Sequence, residues 1–376
     1  GPSGQLLSQT IFAAPAIFQV SDTELAAYLL DTWRIAKGFQ LSLGIRDSLD
    51  HRVRGQAWSP RLGFSWSPFS SSRTRISGGY AITHDQIALN ALSRPLDQIA
   101  ETTQFSAAGI PTGSPVATSF SINAPLALPR AANWTLNVDH QISNSIYASA
   151  KYLRRRGTDG LLWIDTLAAP LSLLPLPGGA SGGLFDLSNL RRDSYDSGQI
   201  SLRQTFAGQH EWMISYTRSR AITNTLIDPD SPQPLQLLPG FVPMPWDAPN
   251  RLLAFAYLPV PSSPSRHWTR NWSIAILSDM RSGFPFSVRQ PDGLLVGQVD
   301  SLRFPRHFDL DLAIERIVTL RGYRFALRGG MDNVTNQANP TAVNNVTGVP
   351  QFLTFLGQEG RHFVVRVRFF GHEGAK

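Results

Sequence analysis

The segment FDLDLAIERIVTLRGYRFALRGGMD, Phe308 to Asp332, reads as two alternating runs joined by a short turn. In the first run Phe308, Leu310, Leu312 and Ile314 share one face, and Asp309, Asp311 and Glu315 share the other. After the turn, Tyr323, Phe325, Leu327 and Met331 oppose Arg324, Arg328 and Asp332. Such period-two alternation marks strands with one apolar and one polar face. A soluble hairpin buries that apolar face in a core, whereas a strand of a membrane barrel turns it to lipid.

The same pattern recurs along the chain. In QISLRQTF, Ile200, Leu202 and Phe206 alternate with Gln199, Ser201, Arg203 and Thr205; in FVVRVRFF, Phe363, Val365, Val367 and Phe369 oppose Arg366 and Arg368. About thirteen such segments are predicted, near 23–34, 38–47, 60–67, 74–83, 132–142, 145–155, 195–206, 210–220, 250–258, 268–280, 306–317, 322–332 and 361–370. Most exceed the roughly 5–6 residues of a soluble strand and match the roughly 9–11 of a tilted membrane strand. Their connections alternate in length. Short ones fall near Ala36–Lys37, Pro68–Ser72, Ser143–Asn144, Ala207–Gln209, Pro259–His267 and Thr319–Gly322, and long ones at 48–59, 84–131, 156–194, 221–249, 281–305 and 333–360. Outer-membrane barrels pair short periplasmic turns with long extracellular loops. The expected fold is therefore all-β, a transmembrane antiparallel up-and-down barrel. About thirteen or fourteen of its strands lie here, the fourteenth being a poor strand within 6–18 weakened by Pro15. The predicted organisation is an N-terminal segment over 1–22, the barrel region over 23–370 and a tail over 371–376.

Composition agrees. Charged residues make up 16% of the chain and aromatic ones 10%, with 30 glycines and 27 prolines. An average soluble domain is about 25% charged. No apolar run is long enough for a membrane helix, which leaves the barrel as the way to satisfy every backbone group in lipid. Trp33, Trp58, Trp66, Trp134, Trp212, Trp268 and Trp272 fall at or near predicted strand ends, where amphipathic rings form the interfacial girdles of such barrels. The net charge of +7 is spread through the sequence, and the tight cluster is Arg154, Arg155 and Arg156. That distribution argues against nucleic acid and for a basic rim against anionic lipid headgroups. The start, GPSGQLLSQT, lacks a basic segment followed by an apolar one, so an outer-membrane location places the true N-terminus elsewhere.

Several segments resemble, in order, the C-terminal barrel of TonB-dependent receptors of the Oar-like group. Asp31 and Trp33 in AAYLLDTWRIAKGFQLSLGIR resemble that family's Asp-x-Trp hairpin. Pro60, Arg61 and Gly63 in SPRLGFSWSPF, and Gly78, Gly79 and Tyr80 in ISGGYAITHD, resemble its Ser-Pro-Arg-x-Gly and Arg-Gly-Gly-Tyr-Gly strands, with Ser77 and Ala81 departing from the pattern. Ser282 and Gly283 in DMRSGFPFSVRQPDG resemble its Arg-Ser-Gly-x-Pro-Phe segment, and Asn333 and Asn336 in GGMDNVTNQANPTAV resemble a closing Asn-x-Thr-Asn. The resemblance implies an outer-membrane transporter of about 22 strands around a plug domain, driven by the TonB complex and carrying a large solute. No plug-like segment or TonB-contacting box is legible here, so a partial barrel is expected. A passive porin or adhesin-like barrel is the alternative.

No catalytic constellation or metal motif is legible, and neither enzyme activity nor a cofactor is expected. The histidines are scattered and there is no Gly-x-Ser-x-Gly elbow. The candidate functional residues are instead the polar positions facing a barrel lumen: Arg203, Asp309, Asp311, Glu315, Arg324, Arg328, Arg366 and Arg368, joined by Gln199 and Ser201. The three carboxylates are expected to pair with Arg324 and Arg328 on the next strand. The expected partners are outer-membrane lipid and lipopolysaccharide, the plug domain and TonB complex, and an unidentified large solute.

Overall fold

The computed structural model describes the chain except residues 1–5, 7, 14–16, 54–55, 70–72, 97–98, 107, 167–182, 208–209, 228–235, 262–270, 292–294 and 373–376. Thirteen strands form one antiparallel meander: β1 (Glu24–Ala36), β2 (Phe39–Asp50), β3 (Gln56–Trp66), β4 (Thr74–His84), β5 (Arg130–Gln141), β6 (Ile146–Asp165), β7 (Gly183–Thr205), β8 (Glu211–Leu226), β9 (Asn250–Pro259), β10 (Trp272–Arg281), β11 (His307–Leu320), β12 (Tyr323–Asp332) and β13 (His362–His372). Each pairs with its neighbour in sequence. Among the described residues, β1 pairs only with β2 and β13 only with β12, so the wall carries two free edges.

The registers fix which residues share a face. One face carries apolar rows such as Val138, Ala150, Ile200, Tyr216 and Leu252, with Ile200 67% exposed. A side chain this apolar and this open belongs against another apolar phase, and no core covers it. The opposite face carries rows such as Lys151, Gln199, Thr217, Arg251, Arg281 and His307. That polar face lines a cavity of about 720 Å³ spanning β6 to β10, which makes it the concave one.

Buried apolar packing sits above the wall, not within it. Val53, Ala57, Ile87, Ala91, Leu126, Leu128, Trp163 and Leu187 form a small core, with Trp163 only 2% exposed. It gathers the loop after β4 against the far ends of β6 and β7, and Phe120 packs edge-on to Trp163 at 4.9 Å. This explains why β6 and β7 run on to Asp165 and from Gly183, well past the predicted ends. In the cap the strands are covered on both faces, and alternation no longer marks them.

Three further expectations are corrected. Ser8–Ala13 is a strand, but it pairs with Ile99–Gln104 in the loop after β4 and adds nothing to the wall. The connection predicted long at 48–59 is only 51–55, because β2 and β3 extend toward each other. Strict alternation of connection lengths therefore fails at that point, while the short connection expected at Pro259–His267 lies largely outside the described residues.

Two more loops are tied down individually. After β10, Pro285–Phe286 pairs with Leu302–Arg303, and Val288–Arg289 with Leu295–Val296. Phe286, Phe304 and Phe355 pack together with ring centroids 5.3–6.2 Å apart, joining this loop to the one after β12.

Candidate functional site: the polar concave face

The eight candidate residues all lie on the concave face by register. Arg203 opposes Met213, which leads through Phe255 and Leu277 to Asp311 in the same row. Asp309 stands opposite Asp279, and Glu315 opposite Ser273 and Arg328. Arg328 in turn opposes Arg366, and Arg368 opposes Ala326. Arg324, opposite Thr319, completes the set.

Within the face the structure draws some of these together and leaves others apart. The expected pairing of the carboxylates with Arg324 and Arg328 is not what the described residues form: none of the three carboxylates has a salt bridge to either arginine. For Asp309 and Asp311 register is the reason, whereas Glu315 stands opposite Arg328 and is taken up by Tyr257 instead. Leu312 opposes Met331, so Asp311 falls level with the end of β12 and accepts a hydrogen bond from the Asn333 amide at 2.9 Å. Glu315, 7% exposed, accepts the Tyr257 hydroxyl at 2.9 Å. Tyr257 stacks on His210 with centroids 5.1 Å apart, and His210 Nε2 lies 3.0 Å from Ser273 Oγ. Arg203 donates from Nε to Glu211 at 2.8 Å. Arg324 and Arg368 instead flank the Phe370 ring, at 6.0 and 5.8 Å from its centroid.

Of one large recess in the face, sequence reasoning placed only Gln199. The cavity of about 720 Å³ is lined by Lys151, Tyr195, Trp246, Arg251, Arg281 and Phe284, among others. Arg251 grips Asp279 through two hydrogen bonds of 3.0 and 2.9 Å. The Arg281 guanidinium sits 4.3 Å over the Phe284 ring. Aromatic planes beside fixed cations suit a solute with negative or π-rich groups. Trp246 comes from a loop without alternation, so no period places it.

Six of the seven candidate girdle tryptophans share the convex face: Trp33, Trp58, Trp66, Trp134, Trp212 and Trp272. Trp268 lies outside the described residues. Trp33, Trp66, Trp212 and Trp272 cluster toward the hairpin ends, and Trp58 and Trp134 toward the opposite end.

The family-motif residues shape backbone more than they offer chemistry. Asp31 lies on the convex face and accepts the Thr32 amide at 2.7 Å. Pro60 sits opposite Ile45, Arg61 between Gly44 and Ala81, and Gly63 between Ser42 and Gly79. Tyr80 packs on Trp134 at 5.1 Å. A Cβ on Gly78 would stand 2.7 Å from the Thr135 carbonyl oxygen, and one on Gly283 only 1.8 Å from that of Phe304. Ser282 accepts a hydrogen bond from Asn250 Nδ2 at 3.2 Å. Asn333 and Asn336 take φ of 48° and 50°, a left-handed conformation asparagine tolerates. Asn333 Nδ2 ties the carbonyls of Gln337 and Glu359, and Asn336 Oδ1 accepts the Arg361 amide.

Comparison with known proteins matches this geometry. Residues 52–299 match the family model described as the outer membrane beta barrel domain. The TonB-dependent transporter Oar of Myxococcus xanthus is 28% identical over 87 residues, covering 21% of this chain and 8% of that protein. The outer membrane transporter YddB from Escherichia coli superposes with a TM-score of 0.65 at 13% identity, over 92% of this chain and 45% of its own. A mutant ferric enterobactin receptor, PfeA, from Pseudomonas aeruginosa, in complex with enterobactin, gives 0.63 at 15%, again over 92% and 45%. The chain thus spans less than half the length of these structures. It belongs to the outer membrane beta barrel domain family, a bacterial outer-membrane wall built on the barrel fold of TonB-dependent receptors.

Proposed function

We propose that this chain is part of the barrel of a TonB-dependent transporter that takes a large solute across the bacterial outer membrane. The observation that carries the reading is the open thirteen-strand wall with a charged concave face, aligned with transporter and receptor barrels over 92% of its length. In this reading residues 23–370 are barrel, 1–22 and 371–376 are flanking segments, and the convex face meets lipid and lipopolysaccharide. Arg203, Asp309, Asp311, Glu315, Arg324, Arg328, Arg366 and Arg368 face the lumen. The cavity bearing Lys151, Arg251, Arg281 and Trp246 receives the solute from the extracellular side. The arginine-rich strip on β12 and β13 holds the carboxylates and carbonyls of a plug domain.

Energy enters through the plug. A polar interior of mixed charge binds the plug through many exchangeable hydrogen bonds, which a mechanical pull by the TonB complex can release one after another. The experiment is conductance of the full-length protein in planar bilayers, combined with uptake by cells with and without TonB. The plugged transporter passes no steady current until the plug is loosened with urea, and uptake stops without TonB. A steady open-channel current, with uptake indifferent to TonB, would overturn the proposal in favour of a passive porin.

A further inference from the structure

The three consecutive arginines divide by alternation. Arg155 lies on the concave face, 3.6 Å from Asp85, whereas Arg154 and Arg156 lie on the convex face. There the registers align Trp134, Arg154, Asp196 and Arg220 in one row, above a row of Leu136, Tyr152, Gly198 and Arg218. The next row beneath these is apolar and aromatic: Val138, Ala150, Ile200 and Tyr216. Arg220 is eight positions along β8 from Trp212. That is roughly 27 Å of strand, or roughly 20 Å of height at a tilt of about 40°, close to the far boundary of an apolar band about 25 Å tall.

Charge at this boundary is unbalanced. Asp196 is the one carboxylate in these two rows, and Arg156 holds it at 2.7 Å with Arg154 at 3.8 Å. Arg218 donates to the neutral Asn250 Oδ1 at 2.8 Å. Arg220 has no hydrogen-bond or ion-pair partner among the described residues. A cleft of about 480 Å³ opens beside them, lined by Tyr152, Asp196, Gly198, Arg218, Arg220 and Phe241 and reaching Asp247, whose charge Arg303 takes up at 2.6 Å. A Cβ on Gly198 would have no neighbour within 4 Å, so the floor of the cleft is open. Uncompensated guanidiniums beside hydrocarbon are costly, and their fork geometry fits phosphate.

We propose that this cluster is a binding site for the phosphate-bearing headgroup of an outer-leaflet lipid, seated on Arg218 and Arg220 with its acyl chains over Ile200 and Tyr216. The proposal rests on the reading that the convex face meets lipid, and it adds a defined anionic-lipid site to that face. Arg154 and Arg156, partly neutralised by Asp196, complete the field without being the primary contacts.

The test uses delipidated full-length protein in detergent, titrated with diphosphoryl lipid A, with the same lipid stripped of its phosphates, and with inorganic phosphate. Arg218→Gln combined with Arg220→Gln should weaken diphosphoryl lipid binding about tenfold or more, while Arg218→Lys with Arg220→Lys keeps most of it. Arg366→Gln with Arg368→Gln, on the concave face, should leave it unchanged. Unchanged affinity in the Gln pair, equal binding of the dephosphorylated lipid, or full competition by equimolar inorganic phosphate would each overturn the proposal. Should the Gln pair fail to fold, the Lys pair decides: loss of binding there also overturns it. A nitroxide placed through Ile200→Cys, in a chain that has no cysteine of its own, separates the two readings. Lipid contact at that label without headgroup binding defeats only the site, whereas a water-exposed label defeats the facing itself.

Discussion

Replacing Leu312 with arginine tests the facing of the whole wall. Leu312 projects from the convex face between Ile276 of β10 and Met331 of β12, well inside the fourteen residues of β11. An arginine at the midplane of the lipid face costs about 2–4 kcal/mol, a factor of roughly 30 to 900 in the folding equilibrium. Leu277 is the matched control. It stands on the adjacent strand β10, one position along from Ile276, and faces Asp311 on the concave side. Leu277→Arg brings a cation to a carboxylate in a polar, wetted face, so its cost should stay below about 1 kcal/mol. Both are measured by reversible urea unfolding of the full-length protein in phospholipid vesicles, followed by tryptophan emission. Equal costs, or a larger cost for Leu277→Arg, would refute the assignment of faces and with it the lumen residues.

Other perturbations probe the loops. Gly283→Ala forces a Cβ onto the Phe304 carbonyl oxygen, where 1.8 Å is available. The loop after β10 must detach, at about 1–3 kcal/mol or more, and protease should then cut within 282–305; a variant as resistant as the parent defeats the reasoning. Asp247, 4% exposed, is held by Arg303 at 2.6 Å. Arg303→Ala strands that carboxylate, costing about 1–3 kcal/mol once the partial exposure of Arg303 is discounted, and hydrogen exchange at the Ala221 amide should quicken. Burial lifts the Asp300 carboxyl above its ordinary value, against the opposing pull of the Ser287 hydrogen bond. Its contribution to loop stability is thus fullest below about pH 4 and is lost as pH rises through the raised value. Exchange in 282–305 should accelerate over that window, and Asp300→Asn should abolish the dependence.

How much of this was legible depended on where one solvent met each face. The wall strands announce themselves because one apolar and one polar face impose a period of two, as in Phe308–Ile314. The loop cap breaks that code. Leu162 and Trp163 are adjacent and both buried, so neither the ends of β6 and β7 nor the packing of Trp163 could be read from alternation. Pairings across strands were also hidden. The Asp311 contact with Asn333 depends on register, which is set by the two-residue turn at Arg321 and Gly322, both with positive φ. The motif glycines and asparagines were visible as a family likeness, but their role as close-approach and left-handed positions lies in the backbone path, which residue type alone does not specify.

The two free edges carry a consequence for how such a wall is made. A seam strand such as β1, thirteen residues long, leaves roughly six amide–carbonyl pairs unmet, since every second residue points outward. In hydrocarbon each unmet group costs several kcal/mol, so a seam is worth tens of kcal/mol and cannot persist as a finished surface. Each edge is therefore adhesive. Produced in isolation, β13 of one copy will add to β1 of the next and grow an open ribbon, whereas further staves supplied in the same chain would terminate that growth by closing the ring.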